Sequence, residues 1–334
     1  MGFLENIWNE IVSFFGVNQF LEILKTGEFE RLLTYEGIVA LILPIIPLLI
    51  VLELILGFVY KKPQTRVYKV IFLIYLFNRI AGRFIALGIV ALCIGLLEPY
   101  ALLESKMRWY WFIYAYVIWE FAHFIYHFLA HKVRLLWCLH ATHHSPEEMN
   151  LSVSHAHFFL EAPYADLIRT SICILLGVNP VLLFTIMFID GTYGAFIHVG
   201  ENLVKDVRFG FLNKLILTPS HHRVHHAKNP LYIDTNYCNL LNFWDRIFGT
   251  YQEEDPSLQI KYGVTRPINS GSFIDVYFGE IISLTKDVIM APGFVNKLKY
   301  VFYPPGWSHE GEHKTAKIIR QNYMMEKKEN KYLK

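Results

Sequence analysis

The stretch EFAHFIYHFLAHKVRLLWCLHATHHSPEEMN, residues 120–150, carries six of the chain's fifteen histidines: His123, His127, His131, His140, His143 and His144. It starts inside an apolar run, Trp109–Ala130, and leaves it for sequence too polar to cross a bilayer. A second cluster, PSHHRVHH at 219–226, holds His221, His222, His225 and His226. Both clusters contain HxxHH, at 140–144 and at 222–226. On a helix His127 and His131 share one face, and the three rings of each HxxHH point roughly one way. Eight such imidazoles exceed the needs of one ion, since zinc usually takes about four ligands. Two ions spaced by roughly 3.5–4 Å need that many. His198, in FIHVGE at 196–201, is a natural ninth ligand.

The expected metal ligands are therefore His127, His131, His140, His143, His144, His198, His222, His225 and His226. His221 points off the face shared by His222 and His225. His123 continues the His127/His131 face one turn deeper. His155, His157, His309 and His313 are less organised. A ligating ring usually hands its second N–H to a carboxylate or carbonyl. Glu120, Glu147, Glu161, Glu201, Asp234 and Asp245 are the carboxylates nearby in sequence, and Glu201 and Asp234 are the preferred pair. Asp190, next to Gly191, is structural or lines a pocket.

The flanks of the first cluster indicate a membrane. Apolar residues make up 54% of the 334, which is high for a soluble chain. A net charge of +2 gives no reason to expect nucleic acid. The four cysteines lack CxxC spacing and read as packing residues. Gly37–Tyr60, with Glu53 as its one charge, is long enough to span. Val70–Leu97 reads as a second span, interrupted by Arg79 and Arg83. Trp109–Ala130 is the third, with an aromatic interfacial start. Leu167–Gly177 and Pro180–His198 read as a helical hairpin that enters the membrane and returns. Residues 3–24 read as an amphipathic surface helix, with no cleavable leader. The terminal EKKENKYLK reads as frayed.

Lys61, Lys62, Arg66 and Lys69 outweigh the 98–108 loop, where Lys106 and Arg108 are balanced by Glu98 and Glu104. The positive-inside tendency puts 61–69, and by counting both histidine clusters, on the cytoplasmic face. The fold expected is an all-α integral membrane protein. About four membrane-embedded helices carry a cytosolic helical cap that holds a di-metal histidine site. Its divisions are 1–30 (surface helix), 31–250 (membrane and metal domain) and 251–334 (cytosolic tail).

Imidazole suits both iron and zinc. A membrane setting favours a reaction on lipid. Cleaving an unactivated C–H bond needs an oxidant that iron and dioxygen can provide and zinc cannot. A zinc pair would instead mean a membrane hydrolase, and a third reading is a metal transporter or a lipid-binding protein.

The histidine pattern, with HATHHSPEEMNLS (140–152), FIHVGE (196–201), PSHHRVHHAKNP (219–230) and NYCNLLNFWDRIFGTY (236–251), resembles the fatty acid hydroxylase / sterol desaturase superfamily. The tail APGFVNKLKYVFYPPGW (291–307) is similar to its ether-lipid branch. The resemblance implies two non-haem irons and O2, with the nine histidines above as ligands and Glu201, Asp234 and Asn236 as candidate catalytic residues. For the ether-lipid branch it implies tetrahydrobiopterin as cofactor and hydroxylation next to the ether oxygen of an alkylglycerol, giving fatty aldehyde and glycerol. Other branches imply a fatty-acyl or ornithine-lipid hydroxylase, a sterol oxidase or a desaturase, with a ferredoxin- or cytochrome-type protein as electron donor. The chain departs from the superfamily's Tyr-Trp-x-His-Arg run at Phe124–Phe128, and Val199 replaces a common threonine.

Overall fold

The computed structural model describes residues 8–9, 12, 17–33, 35–42, 44–60, 65–81, 83–201, 203–204 and 208–332. Half of the expected 3–24 helix and residues 61–64 of the basic turn lie outside these, as do the side chains of Arg79 and Arg83. Helices dominate. Among the described residues there is no strand, only two isolated bridges, Ile216 with Leu241 and Ala227 with Tyr262.

Helix α1 (Asn18–Thr26) ends on Gly27 in the left-handed conformation. Then follow α2 (Tyr35–Ile42) and α3 (Ile45–Val59), with Pro44 as the α3 N-cap. Helices α4 (Thr65–Ala81) and α5 (Arg83–Leu97) cover the run expected as a span at Val70–Leu97, apart from Gly82, which lies outside the described residues.

Helix α6 (Trp109–Lys132) is one unbroken rod that leads into the first histidines. After Val133 comes α7 (Arg134–His144). Helices α8 (Glu161–Leu175) and α9 (Pro180–Phe196) form the expected hairpin. The Asn179 side chain accepts the Val181 N–H, and Pro180 occupies the first turn, where it needs no donor. The hairpin arms hold α6 between them: Ala115, Tyr116, Trp119 and Ala122 pack with Cys173 and Ile174 of α8 and Leu182, Leu183 and Ile186 of α9.

Among the described residues two segments are long and apolar enough to cross a membrane, Ala40–Val59 and Trp109–Lys132. The hairpin arms are shorter. Large apolar side chains stand exposed along α3 (Leu48, Ile55, Phe58), α4 (Phe72, Leu76) and α5 (Leu87, Leu92, Leu96).

Helix α10 (Pro219–His225) carries the second cluster, and α11 (Phe243–Phe248) follows it. Residues 251–332 carry further helices. Helices α12 (Phe273–Met290) and α13 (Gly293–Phe302) pack on α7 through Cys138, Leu284, Ala291 and Tyr300. Arg134 of α7 pairs with Asp287. Of the terminus expected to fray, residues 326–332 belong to α14 (Ala316–Tyr332).

Candidate metal centre

The nine expected histidines, all buried, converge in two groups. The first is His127 and His131 of α6, His140 and His144 of α7, and His225 of α10. The second is His143, His198, His222 and His226. Within each group the candidate ligand atoms lie within 4.8 Å of one another.

Each HxxHH is split between the groups, and does not aim all three rings one way. His140 and His144 join the first group while His143 joins the second, and His222 and His226 join the second while His225 joins the first. Helical geometry explains this. Residues i and i+4 are rotated by about 40°, but neighbours i+3 and i+4 by about 100°. One motif therefore serves two sites, and two copies tie the sites together. The groups adjoin: the His144 and His226 rings stack with centroids 4.4 Å apart.

The outward nitrogens fix the tautomers. His127 Nδ1 donates to the Tyr237 carbonyl at 2.8 Å, and His225 Nδ1 to the Thr235 carbonyl at 2.8 Å. His198 Nδ1 donates to the Gly194 carbonyl at 2.6 Å. His140 Nδ1 faces Glu161 Oε1 at 2.6 Å, and His131 Nδ1 faces Asp234 Oδ1 at 3.3 Å. With the proton outside, the inward Nε2 of these five rings is a bare lone pair. The lone pairs of His127 and His140 face each other at 3.0 Å, and Nε2 atoms also meet between His140 and His144 at 3.1 Å, His198 and His222 at 2.9 Å, and His222 and His226 at 3.0 Å. His131 and His225 Nε2 are buried without a partner.

Lone pairs at these distances repel unless a cation lies among them. Metal–nitrogen bonds of about 2.1 Å at right angles set adjacent nitrogens roughly 3.0 Å apart, so both groups fit a metal ion. Burial, reinforced by neighbouring rings, holds His143, His144, His222, His225 and His226 well below the usual imidazole range, as neutral ligands must be.

A single segment supports most of the first group. Asp234 and Asn236 both adopt positive φ, 60° and 58°, which Asp and Asn tolerate better than most residues. The intervening Thr235 and the following Tyr237 thereby present their carbonyls to His225 and His127, while Asp234 reaches His131 and also pairs with Lys132. Burial alone would raise the Asp234 carboxyl, but His131 and Lys132 outweigh it and hold it low.

Asn236, a candidate catalytic residue, does not reach the rings. Its amide donates to the His221 and Gln252 carbonyls at 3.0 and 2.8 Å and accepts the Gln252 N–H, so its side chain is used up as a clamp. Glu201 does not take the expected place behind a ring either. It is exposed and accepts the Tyr262 hydroxyl at 2.9 Å, because the chain reaches the surface at Glu201 after the buried Val199 and Gly200.

The carboxylate missed as a preferred partner is Glu161. It is 2% exposed and joins His140, His157 at 2.8 Å and the Tyr126 hydroxyl at 2.9 Å. Burial opposes its ionisation, yet His157 and His140 beside it hold the carboxyl far below the usual range. His157 donates its other nitrogen to the Ser154 carbonyl at 3.0 Å and stacks on His143, centroids 4.5 Å apart. The available signal was the i, i+4 spacing of His157 and Glu161 in HFFLE.

Among the remaining histidines, His221 caps α10 through Thr218 and bonds Tyr251 at 2.8 Å. His155 lies against Tyr75, His309 bonds Tyr300, and His313 bonds the Ser308 N–H. His123 packs edge-on to His127, with its buried Nδ1 unpartnered.

A small cavity of about 70 Å³ opens on the rings, lined by His131, His144, His225, His226, Trp137 and Asp234, and roofed by Pro304, Pro305 and Ile319 of the C-terminal segment.

Residues 112–250 match the family model described as fatty acid hydroxylase. The alkylglycerol monooxygenase of Homo sapiens is 34% identical over 206 residues, 61% of this chain and 43% of that protein. That of Danio rerio is 36% identical over 200 residues, 60% of this chain and 43% of that protein. An ornithine lipid hydroxylase of Rhizobium tropici is 31% identical over 156 residues, 46% of each. The matched region thus spans less than half the length of these curated relatives. No solved structure matches. The nine converging rings all lie between residues 127 and 226, inside the region that matches the fatty acid hydroxylase model.

Proposed function

We propose that this protein is an integral membrane monooxygenase. It holds two irons in the two ring groups and hydroxylates a C–H bond of a membrane lipid with dioxygen. The observation that carries the reading is the pair of adjoining groups of inward-facing Nε2 atoms inside the region that matches the fatty acid hydroxylase model. Bound there, iron supplies the activation of dioxygen, which redox-inactive zinc does not. Five nitrogens in the first group also exceed the roughly four that zinc takes.

The chain's own residues do the rest. Asp234, Glu161 and the carbonyls of Thr235, Tyr237 and Gly194 orient the rings. The cavity of about 70 Å³ has room for dioxygen or water. The lipid approaches from the bilayer along α6 and the hairpin, past His123. The apolar side chains exposed on α3, α4 and α5 face the acyl chains, and the site lies at the cytoplasmic face.

We take the substrate to be an alkylglycerol, on the likeness to alkylglycerol monooxygenases. One oxygen atom enters the carbon beside the ether oxygen and the other leaves as water. The two electrons and two protons required come from tetrahydrobiopterin or from a ferredoxin- or cytochrome-type protein. The hemiacetal then collapses to fatty aldehyde and glycerol.

The test is product identification with iron-loaded protein and a panel of ether lipids, fatty-acyl lipids, ornithine lipids and sterols, with and without dioxygen and each donor. Fatty aldehyde formed only with dioxygen supports the full reading. A hydroxylated acyl lipid or sterol keeps the oxygenase and changes its substrate. Turnover without dioxygen, or with zinc alone, overturns the oxygenase in favour of a hydrolase.

A further inference from the structure

Glu53 is the one charge in the apolar Gly37–Tyr60 run, and it lies outside the region that matches the fatty acid hydroxylase model. An ionisable residue in such a segment is costly unless its oxygens are used. Glu53 is 3% exposed, and its oxygens are used by two particular backbone segments. Oε1 accepts the Gly200 N–H at 2.8 Å; Oε2 accepts the Leu151 N–H at 2.7 Å and the Tyr68 hydroxyl at 3.1 Å. Gly200 lies two residues after His198, and Leu151 begins the turn that follows the first HxxHH.

Two further observations place the same carboxylate at this junction. Leu49 and Ile50 of α3 pack on Leu151 and Val199, so apolar contact and hydrogen bonds dock one helix on both segments. A Cβ at Gly200 would lie 2.5 Å from the Met149 carbonyl oxygen and 2.7 Å from Glu53 Oε1, so only glycine allows this approach. On the far side, Arg223, next to His222, donates to the Val199 and Val204 carbonyls at 3.2 and 2.7 Å. The backbone behind His198 is thus gripped from α3 and from α10.

We infer that Glu53 is a positioning residue for the second ring group, His143, His198, His222 and His226, and that the N-terminal membrane helix completes that site. The inference rests on the two-iron reading above. The first group takes its support from Asp234, Glu161 and the 235–237 carbonyls, none of which Glu53 touches. Loss of the carboxylate should therefore weaken one site and spare the other.

The experiment compares full-length wild type, Glu53→Ala, Glu53→Gln and His198→Ala in detergent. Bound iron per chain is counted, and hydrogen exchange is followed at 149–152 and 198–201. In Glu53→Ala the second site weakens by about 10- to 100-fold, the usual cost of losing an outer-shell partner. The iron count then falls to that of His198→Ala, and both segments exchange faster. Glu53→Gln, which keeps one acceptor, falls between. If Glu53→Ala does not fold, the Gln variant decides by the same two readouts. Full iron content with unchanged exchange, or equal weakening of both sites, overturns the inference. A wild type that binds no pair of irons overturns the underlying reading instead.

Discussion

Replacing Glu161 isolates what an outer carboxylate does for these rings. Glu161→Ala strands the His140 Nδ1–H and the Tyr126 hydroxyl, both buried. Each stranded donor costs about 1–3 kcal/mol. At 1.4 kcal/mol per decade the His140 share alone weakens iron binding by roughly 5- to 150-fold, a range that contains the 10- to 100-fold usual for such partners. Glu161→Gln behaves differently. Its carbonyl still accepts from His140 and Tyr126, and its amide can donate to Nδ1 of a neutral His157 that keeps its bond to the Ser154 carbonyl. Only the charge is lost. Charged hydrogen bonds exceed neutral ones by about 1 kcal/mol, so the Gln variant weakens binding about fivefold. The assay is chelator competition at fixed pH, with a thermal melt to confirm folding. A folded Ala variant that binds iron as tightly as wild type, or a Gln variant that binds worse than the Ala variant, would refute the reasoning.

Asp234→Asn folds, since Asn also tolerates φ near 60°, but it loses the charge on His131 and Lys132. Iron affinity drops about tenfold by competition titration, and an unchanged affinity contradicts the assignment. Gly200→Ala forces a Cβ against the Met149 carbonyl and lowers stability by about 1–3 kcal/mol, read as a lower melting temperature; an unshifted melt shows that the segment yields freely. In the metal-free protein the buried His143, His144, His222, His225 and His226 resist protonation. The unfolded chain takes up protons there below about pH 6.5. Stability is therefore full above that pH and declines as pH falls, by about 1.4 kcal/mol per unit for each ring that stays neutral. Melts of chelator-treated protein across the acidic range check this, and a flat profile counts against it.

The nine rings were legible because helical spacing is written directly in the chain: His127 and His131 four apart, and each HxxHH within one turn. Their sorting was not, because the 100° between His143 and His144 matters only once α10 stands opposite α7. Glu161 and His157 escaped preference because the residue that binds them, His140, lies on another helix. Glu201 misled through nearness in sequence to His198, where the backbone turns its side chain to solvent. Asn236 belongs to a segment that meets two rings through the Thr235 and Tyr237 carbonyls and one through the Asp234 side chain. In the membrane region the hairpin announced itself by Asn179-Pro180. The C-terminal helices lack long apolar runs, so their packing on α7 had no sequence signature beyond scattered residues such as Leu284 and Tyr300.

The central claim is a pair of irons, each held by its own ring group, and counting them is its most direct test. Full-length protein would be loaded anaerobically with isotopically enriched iron, and iron per chain and the Mössbauer spectrum recorded. The account predicts two nitrogen-rich irons per chain, one for each group, with His198→Ala losing one and His131→Ala weakening the other. A single iron that survives either substitution, or rings that take up zinc and reject iron, would contradict it.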